Sequence, residues 1–138
     1  MGSIARENRT MYTGIGYFRE SSHEKRLLEK KIDKVAKIIK EHADKKAPGL
    51  YELVELTCKA VSAKSCAELF FEEPEKLREI LIIKYGDAYS AGFVVKYILL
   101  KPVLSYLGVE ELGDELYDLF MGNPLEFKRR IKKLLQKQ

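Results

Sequence analysis

Four side chains of this chain could hold a metal or attack an electrophile: His23, His42, Cys58 and Cys66. They make up the ligand set of a Cys2His2 zinc site, but such sites pair their ligands closely, typically two cysteines two to four residues apart. Neither pair here has that spacing, so no metal is expected. Nucleophilic catalysis needs a base within reach of a Ser or Cys. Both histidines precede both cysteines and neither sits in a recognisable motif, so no catalytic constellation is expected either. Glu72, Glu73 and Glu75 surround Pro74, where they complement the dipole of a starting helix. Gly14-Ile15-Gly16 lacks the strand–turn–helix setting of a phosphate loop. No cofactor and no enzymatic activity follow from these residues.

The cysteines could pair only if a corner lies between them. On one continuous helix their separation spans roughly 12 Å, beyond disulfide reach. Residues 62–65 could supply the corner. Buried free thiols are nevertheless the expected state of a cytoplasmic chain.

Cations are the other chemistry in the sequence. With 25 Lys and Arg against 21 Asp and Glu, the net charge is +4. Lys25, Arg26, Lys30, Lys31, Lys34, Lys37 and Lys40 decorate one predicted helix. Lys128, Arg129, Arg130, Lys132, Lys133 and Lys137 crowd the last one. Lys30, Lys34, Lys37, Lys128, Arg129, Arg130, Lys132 and Lys133 form the candidate surface for phosphate backbone or an acidic partner. Glu29, Asp33 and Glu41 interleave the first set as on an ordinary solvated face. No exposed aromatic pattern for base stacking is apparent.

These residues ride on helices. The 138 residues suit one domain, and 46% hydrophobic content is globular. Residues 1–20 lack a helical period and read as an arm, with Tyr12, Ile15, Tyr17 and Phe18 as a self-association patch; residues 21–138 read as a single helical domain. Ser22 is placed as the N-cap of the first helix. Leu28, Ile32, Val35, Ile39 and His42 recur on its inner stripe, widened by Leu27 and Ile38. A second helix turns Leu50, Leu53, Val54, Thr57 and Val61 to one side. Ser65 and Glu68 form a capping box, and Pro74 opens a helix carrying Leu77, Ile80, Leu81 and Ile83. Gly86 and Asp87 make a tight corner, as do Gly122, Asn123 and Pro124.

The stretch from Ala88 to Val109 is apolar nearly all round and predicts a central core helix containing Ile98 and Leu99. Lys96 and Lys101 weigh against a membrane span. Pro102 removes a hydrogen bond to the Ile98 carbonyl and predicts a kink. The fold expected is all-α: a compact bundle of about six to seven helices with no sheet. Phe70, Pro74, Leu77 and Leu81 share their spacing with Phe120, Pro124, Phe127 and Ile131, which shared helix-start grammar explains without a repeat.

The run from Phe71 to Gly108 resembles the small helical output domains of archaeal signal-transduction and regulatory proteins. Pro74, Leu77, Leu81, Tyr85, Gly86, Ile98, Leu107 and Gly108 carry the likeness; all are fold-making residues, and Pro102 departs from the pattern. The resemblance implies a regulatory interaction module and transfers no catalytic residue. The expectation is therefore a cytoplasmic, possible oligomer-forming module, with charge composition compatible with a thermophile, that binds a protein partner or itself. The alternative is a nucleic-acid-associated factor using the basic helices.

Overall fold

The computed structural model describes the backbone of residues 15–138 and the side chains of residues 23–138. Contacts divide the chain into two units, Met1–Lys31 and Ile32–Gln138. Every regular element described is helical, so the chain is all-α.

The first helix, α1, spans Ile15–Lys46. It corrects two sequence expectations: residues 15–20 are helical, and Ser22 lies inside the helix instead of capping it. Two serines cost a helix only a few tenths of a kcal/mol each, and Arg19, Glu20, Glu24, Lys25 and Arg26 around them are good helix formers. In the second unit, Ile32, Val35, Ile39 and Ala43 of α1 are buried.

α2 (Leu50–Ser62) buries Tyr51, Val54 and Cys58. Of the expected face Val54 is buried, but Leu53 and Val61 are exposed, and the inward stripe lies most of a quarter turn away. α2 ends at Ala63, held at φ 62° in the left-handed region. A non-glycine residue there costs roughly 1–2 kcal/mol, more than the 0.5–1 kcal/mol of entropy that glycine forfeits. Ala63→Gly is therefore expected to raise stability by about 0.5 kcal/mol, read from the urea midpoint; a loss would show that the Ala63 methyl makes a contact worth more than the strain.

Ser65 then opens α3 (Cys66–Glu72) with the complete capping box expected. The corner at 62–65 brings the Cα atoms of Cys58 and Cys66 to 5.6 Å, and the two are joined in a disulfide. The expectation of free thiols is thus corrected: the reversal at Ala63 removes the distance that one continuous helix would impose. Glu55 reinforces the junction by accepting the Cys66 backbone N–H at 2.7 Å.

Two helix pairs follow the same design. α3 meets α4 (Pro74–Tyr85) at Glu73, with φ −141° and ψ 64°. α6 (Gly113–Gly122) meets α7 (Pro124–Gln136) at Asn123, with φ −146° and ψ 71°. The shared spacing in the sequence is thus the same one-residue corner built twice. In each, proline at the first helical position needs no hydrogen-bond partner. The corners bring Phe70, Phe71, Phe120 and Phe127 together, all fully buried. Phe70 stacks on Phe120 at 6.1 Å, and Phe127 meets both edge-on at 5.2 and 5.1 Å.

Between the pairs runs α5, a continuous helix over Ala88–Leu107. Gly86 at φ 84° and the Asp87 carboxylate, accepting from the Ser90 N–H at 2.7 Å, form the corner before it. α5 is long and apolar enough to cross a membrane, yet 61% of its apolar window is buried in the protein. Ile98 and Leu99 are core residues as expected.

Candidate functional site

α5 is not apolar-in on every side. Tyr89, Phe93 and Tyr97, spaced at i, i+4 and i+8, are 88%, 57% and 44% exposed. They form an aromatic rail on the outer face of the most apolar helix. This corrects the expectation that no exposed aromatic pattern exists. Phe93 and Tyr97 lie 4.9 Å apart between ring centroids. Lys96 reaches over two rings, Tyr97 at 5.8 Å and Tyr117 at 5.4 Å, and pairs with Asp114 at 3.4 Å. Such cation–ring contacts hold the lysine against the aromatic surface. Gly92 makes room for Tyr117: a Cβ at that position would run into the Tyr117 hydroxyl. Beyond Tyr97 the rail ends in a cleft of about 190 Å³ bordered by Lys96, Lys101, Glu110 and Asp114.

Pro102 explains how the rail is held. The segment Val94–Leu100 is π-helical, and the Lys101 N–H reaches the Lys96 carbonyl five residues back. In that register the donor for the Tyr97 carbonyl would be residue 102, a proline without N–H. The expected loss at Ile98 therefore falls one residue earlier. His42 meets it, with Nε2 at 3.2 Å from the Tyr97 oxygen. A carbonyl only accepts, so His42 presents Nε2–H. The kink expected at Pro102 takes the form of this wider turn, and the helix continues through it. π-helical turns often mark functional positions.

Among the described residues the other large exposed apolar side chains are aliphatic, and they include Leu27 on α1, which departs from its expected place on the inner stripe. Leu53, Leu56 and Val61 lie on α2, Ile83 on α4 and Leu125 on α7. Ile83 thus departs from its expected core position. Tyr and Phe carry more contact energy per residue at interfaces than aliphatic side chains do, which ranks the rail above these patches.

The basic residues separate. Lys30 is exposed on α1. Lys34 holds its ammonium 5.6 Å from the Tyr106 ring. Lys37 borders a groove with Lys40, Tyr51, Glu52 and Leu56. On α7, Lys128, Arg129, Lys132 and Lys133 do come together, lining a groove with Leu125 and Gln136. Three of the expected cations are occupied. Arg129 binds Glu126 through two nitrogens and holds that carboxyl below the usual range. Lys132 reaches Glu72 at 3.0 Å, and Arg130 pairs with Glu115 on α6. The expected site on α7 is therefore smaller than its sequence, with Lys128 and Lys133 outside any ion pair within 4.0 Å among the described residues.

Of the arm patch, Tyr12 lies outside the described residues, as do the side chains of Ile15, Tyr17 and Phe18. Among the described residues no group of three or more His, Cys, Asp or Glu could hold a metal ion. Family models, curated proteins and solved structures offer no match to this chain.

Proposed function

We propose that this chain is a non-enzymatic regulatory module that works by docking another protein chain on the α5 rail. One observation carries the reading: three aromatic residues in register stand exposed on the helix whose other faces form the core. Burying a fully exposed aromatic side chain removes roughly 150–250 Å² from water, and this row, part-buried at Phe93 and Tyr97, still offers a contiguous apolar patch to a partner. Of the four side chains singled out for such chemistry, His42 is engaged with a backbone carbonyl and the two cysteines with each other. The cytoplasmic, thermophilic reading belongs to this proposal, because intracellular disulfides persist in hyperthermophiles. So does reading α5 as a core helix and not a membrane span.

The nucleic-acid reading draws support from the α7 groove and from lysines beside exposed rings, a combination that can track phosphates and stack bases. A salt series separates the two. Under the docking proposal, binding to generic DNA or RNA at physiological salt stays in the weak range of about 10⁻⁴ to 10⁻⁶ M. Submicromolar affinity, lost when Lys128, Arg129, Arg130, Lys132 and Lys133 become Gln, would replace the docking reading. In the complementary experiment, wild type and Tyr89→Ala/Phe93→Ala/Tyr97→Ala proteins are immobilised and exposed to lysate of the source cells. A chain retained by the first and not by the second is expected; identical retention would remove the rail from the argument.

A further inference from the structure

We propose that the cleft beyond Tyr97 binds a small zwitterion, a free α-amino acid with an aliphatic side chain. The inference stands apart from the docking reading: it names a different ligand and is tested by different variants.

Charge in the cleft is sorted by wall. Lys96 and Lys101 come from α5, whereas Glu110, in a 3-10 turn over Glu110–Leu112, and Asp114, in the first turn of α6, come from the other side. Lys96 closes one end, pairing with Asp114 at 3.4 Å and lying over the rings of Tyr97 and Tyr117. Lys101 and Glu110 belong to no ion pair within 4.0 Å among the described residues, although both border the same cleft. A simple anion entering between them would meet two carboxylates, and a simple cation two ammonium groups. A molecule with one charge of each sign satisfies both walls: its carboxylate accepts from Lys101 and its ammonium donates to Glu110.

The floor selects an aliphatic body. Leu100 and Leu104 are 1% and 2% exposed, so only their outer edges show, and Tyr97 flanks them. The cleft holds about 190 Å³. At about 30 Å³ per water that is room for roughly six waters, or for about eight or nine covalently joined heavy atoms, which pack closer. Valine and leucine are of that size.

Gly113 keeps this space open. Its φ of −54° and ψ of −53° are ordinary helical values, so no left-handed turn requires glycine. Outside its own helix and chain neighbours, a Cβ there would meet only Leu104, at an ordinary 3.7 Å. Glycine is nonetheless the weakest helix former after proline. Neither conformation nor packing accounts for it; what the missing side chain provides is room above the cleft floor.

Titration of the isotope-labelled full chain with L-leucine, followed through its backbone amide resonances, tests the proposal. The rim is solvated, so half-saturation is expected between about 0.1 and 5 mM, with shifts centred on Tyr97, Glu110 and Gly113. Isocaproate and isoamylamine keep the aliphatic body with one charge each, and glycine keeps both charges without the body. Each should bind at least about fivefold more weakly than leucine. Lys101→Gln and Glu110→Gln, at exposed positions, should each weaken leucine binding about three- to tenfold. Gly113→Leu is compatible with the helical backbone; it should leave the circular dichroism spectrum unchanged and abolish the leucine shifts by filling the cleft. Amides that do not move at up to about 20 mM leucine overturn the proposal. So do shifts centred elsewhere, equal binding of the singly charged analogues, or leucine binding unchanged in both charge variants. If Gly113→Leu fails to fold, the charge variants and the analogues decide; if it folds and still binds leucine, the cleft is not the site.

Discussion

Phe120→Ala is expected to lower the stability of the fold by about 3 to 5 kcal/mol. The ring is fully buried and contacts Phe70 and Phe127 at centroid distances of 6.1 and 5.1 Å. Removing it deletes the transfer energy of a whole aromatic side chain. It also leaves a cavity that the two neighbours cannot fill, because Phe70 and Phe127 are fixed on different helix pairs by the corners at Glu73 and Asn123. Offset and edge-on ring contacts add roughly 0.5–1.5 kcal/mol beyond area. The loss should appear as a lower denaturant midpoint at unchanged slope. A change below about 1 kcal/mol would mean that the corners relax and close the cavity. Phe93→Ala is the useful contrast: the same deletion at an exposed ring should barely move the midpoint of the single chain.

The residues around Phe120 explain why much of the fold was legible. Caps and corners are written locally: Ser65 with Glu68, Asp87 after Gly86, and proline at the first helical position each act on their nearest neighbours. Repeated spacing of Phe, Pro and apolar residues foretold a repeated corner. Choices between two apolar faces were not legible. α2 carries leucines, valines and a cysteine around most of its circumference, and the stripe that turns inward is the one bearing Cys58. Cys58 on that stripe is bonded to Cys66 across the left-handed turn at Ala63, a long-range partnership that no local pattern announces.

The candidate site shows the same division. Lys128, Arg129, Arg130, Lys132 and Lys133 were read as one surface from their crowding on the last helix; four of them share a groove, while Arg130 pairs with Glu115. Their pairing with Glu126 and Glu72 was not foreseeable for Lys132, because Glu72 lies sixty residues away in sequence. The rail was missed because an all-apolar helix reads as buried on all sides. The signal was present: the aromatic residues of its first half, Tyr89, Phe93 and Tyr97, fall on one stripe four residues apart. His42 could not have been connected with Tyr97 at all. Its role arises from the π-helical register, which moves the hydrogen bond lost to Pro102 from Ile98 to Tyr97.

Opening the Cys58–Cys66 disulfide is expected to lower stability by about 2.5 kcal/mol, the loop-closure entropy of a short cross-linked segment in the unfolded chain. In a protein of this size that corresponds to a drop of roughly 7 to 10 °C in melting temperature. Both cysteines are buried, so a reductant added to the native protein would act slowly. The chain should instead be reduced while unfolded and refolded in reductant. Reduced wild type keeps both sulfur atoms and so isolates the cross-link. Cys58→Ala/Cys66→Ala also removes their volume, and it should fall further, by about 1 kcal/mol for the small cavity. The rest of the corner opposes complete loss of structure: the Ser65–Glu68 capping box remains, and Glu55 still accepts the Cys66 N–H. α3 should therefore survive reduction, and the Phe70 cluster with it. Thiol titration of the unfolded, unreduced chain supplies the independent check. No reactive thiol is expected. Two thiols, or equal melting temperatures with and without reductant, would mean that Ala63 turns the chain without the cross-link and that the inward face of α2 is chosen by packing alone.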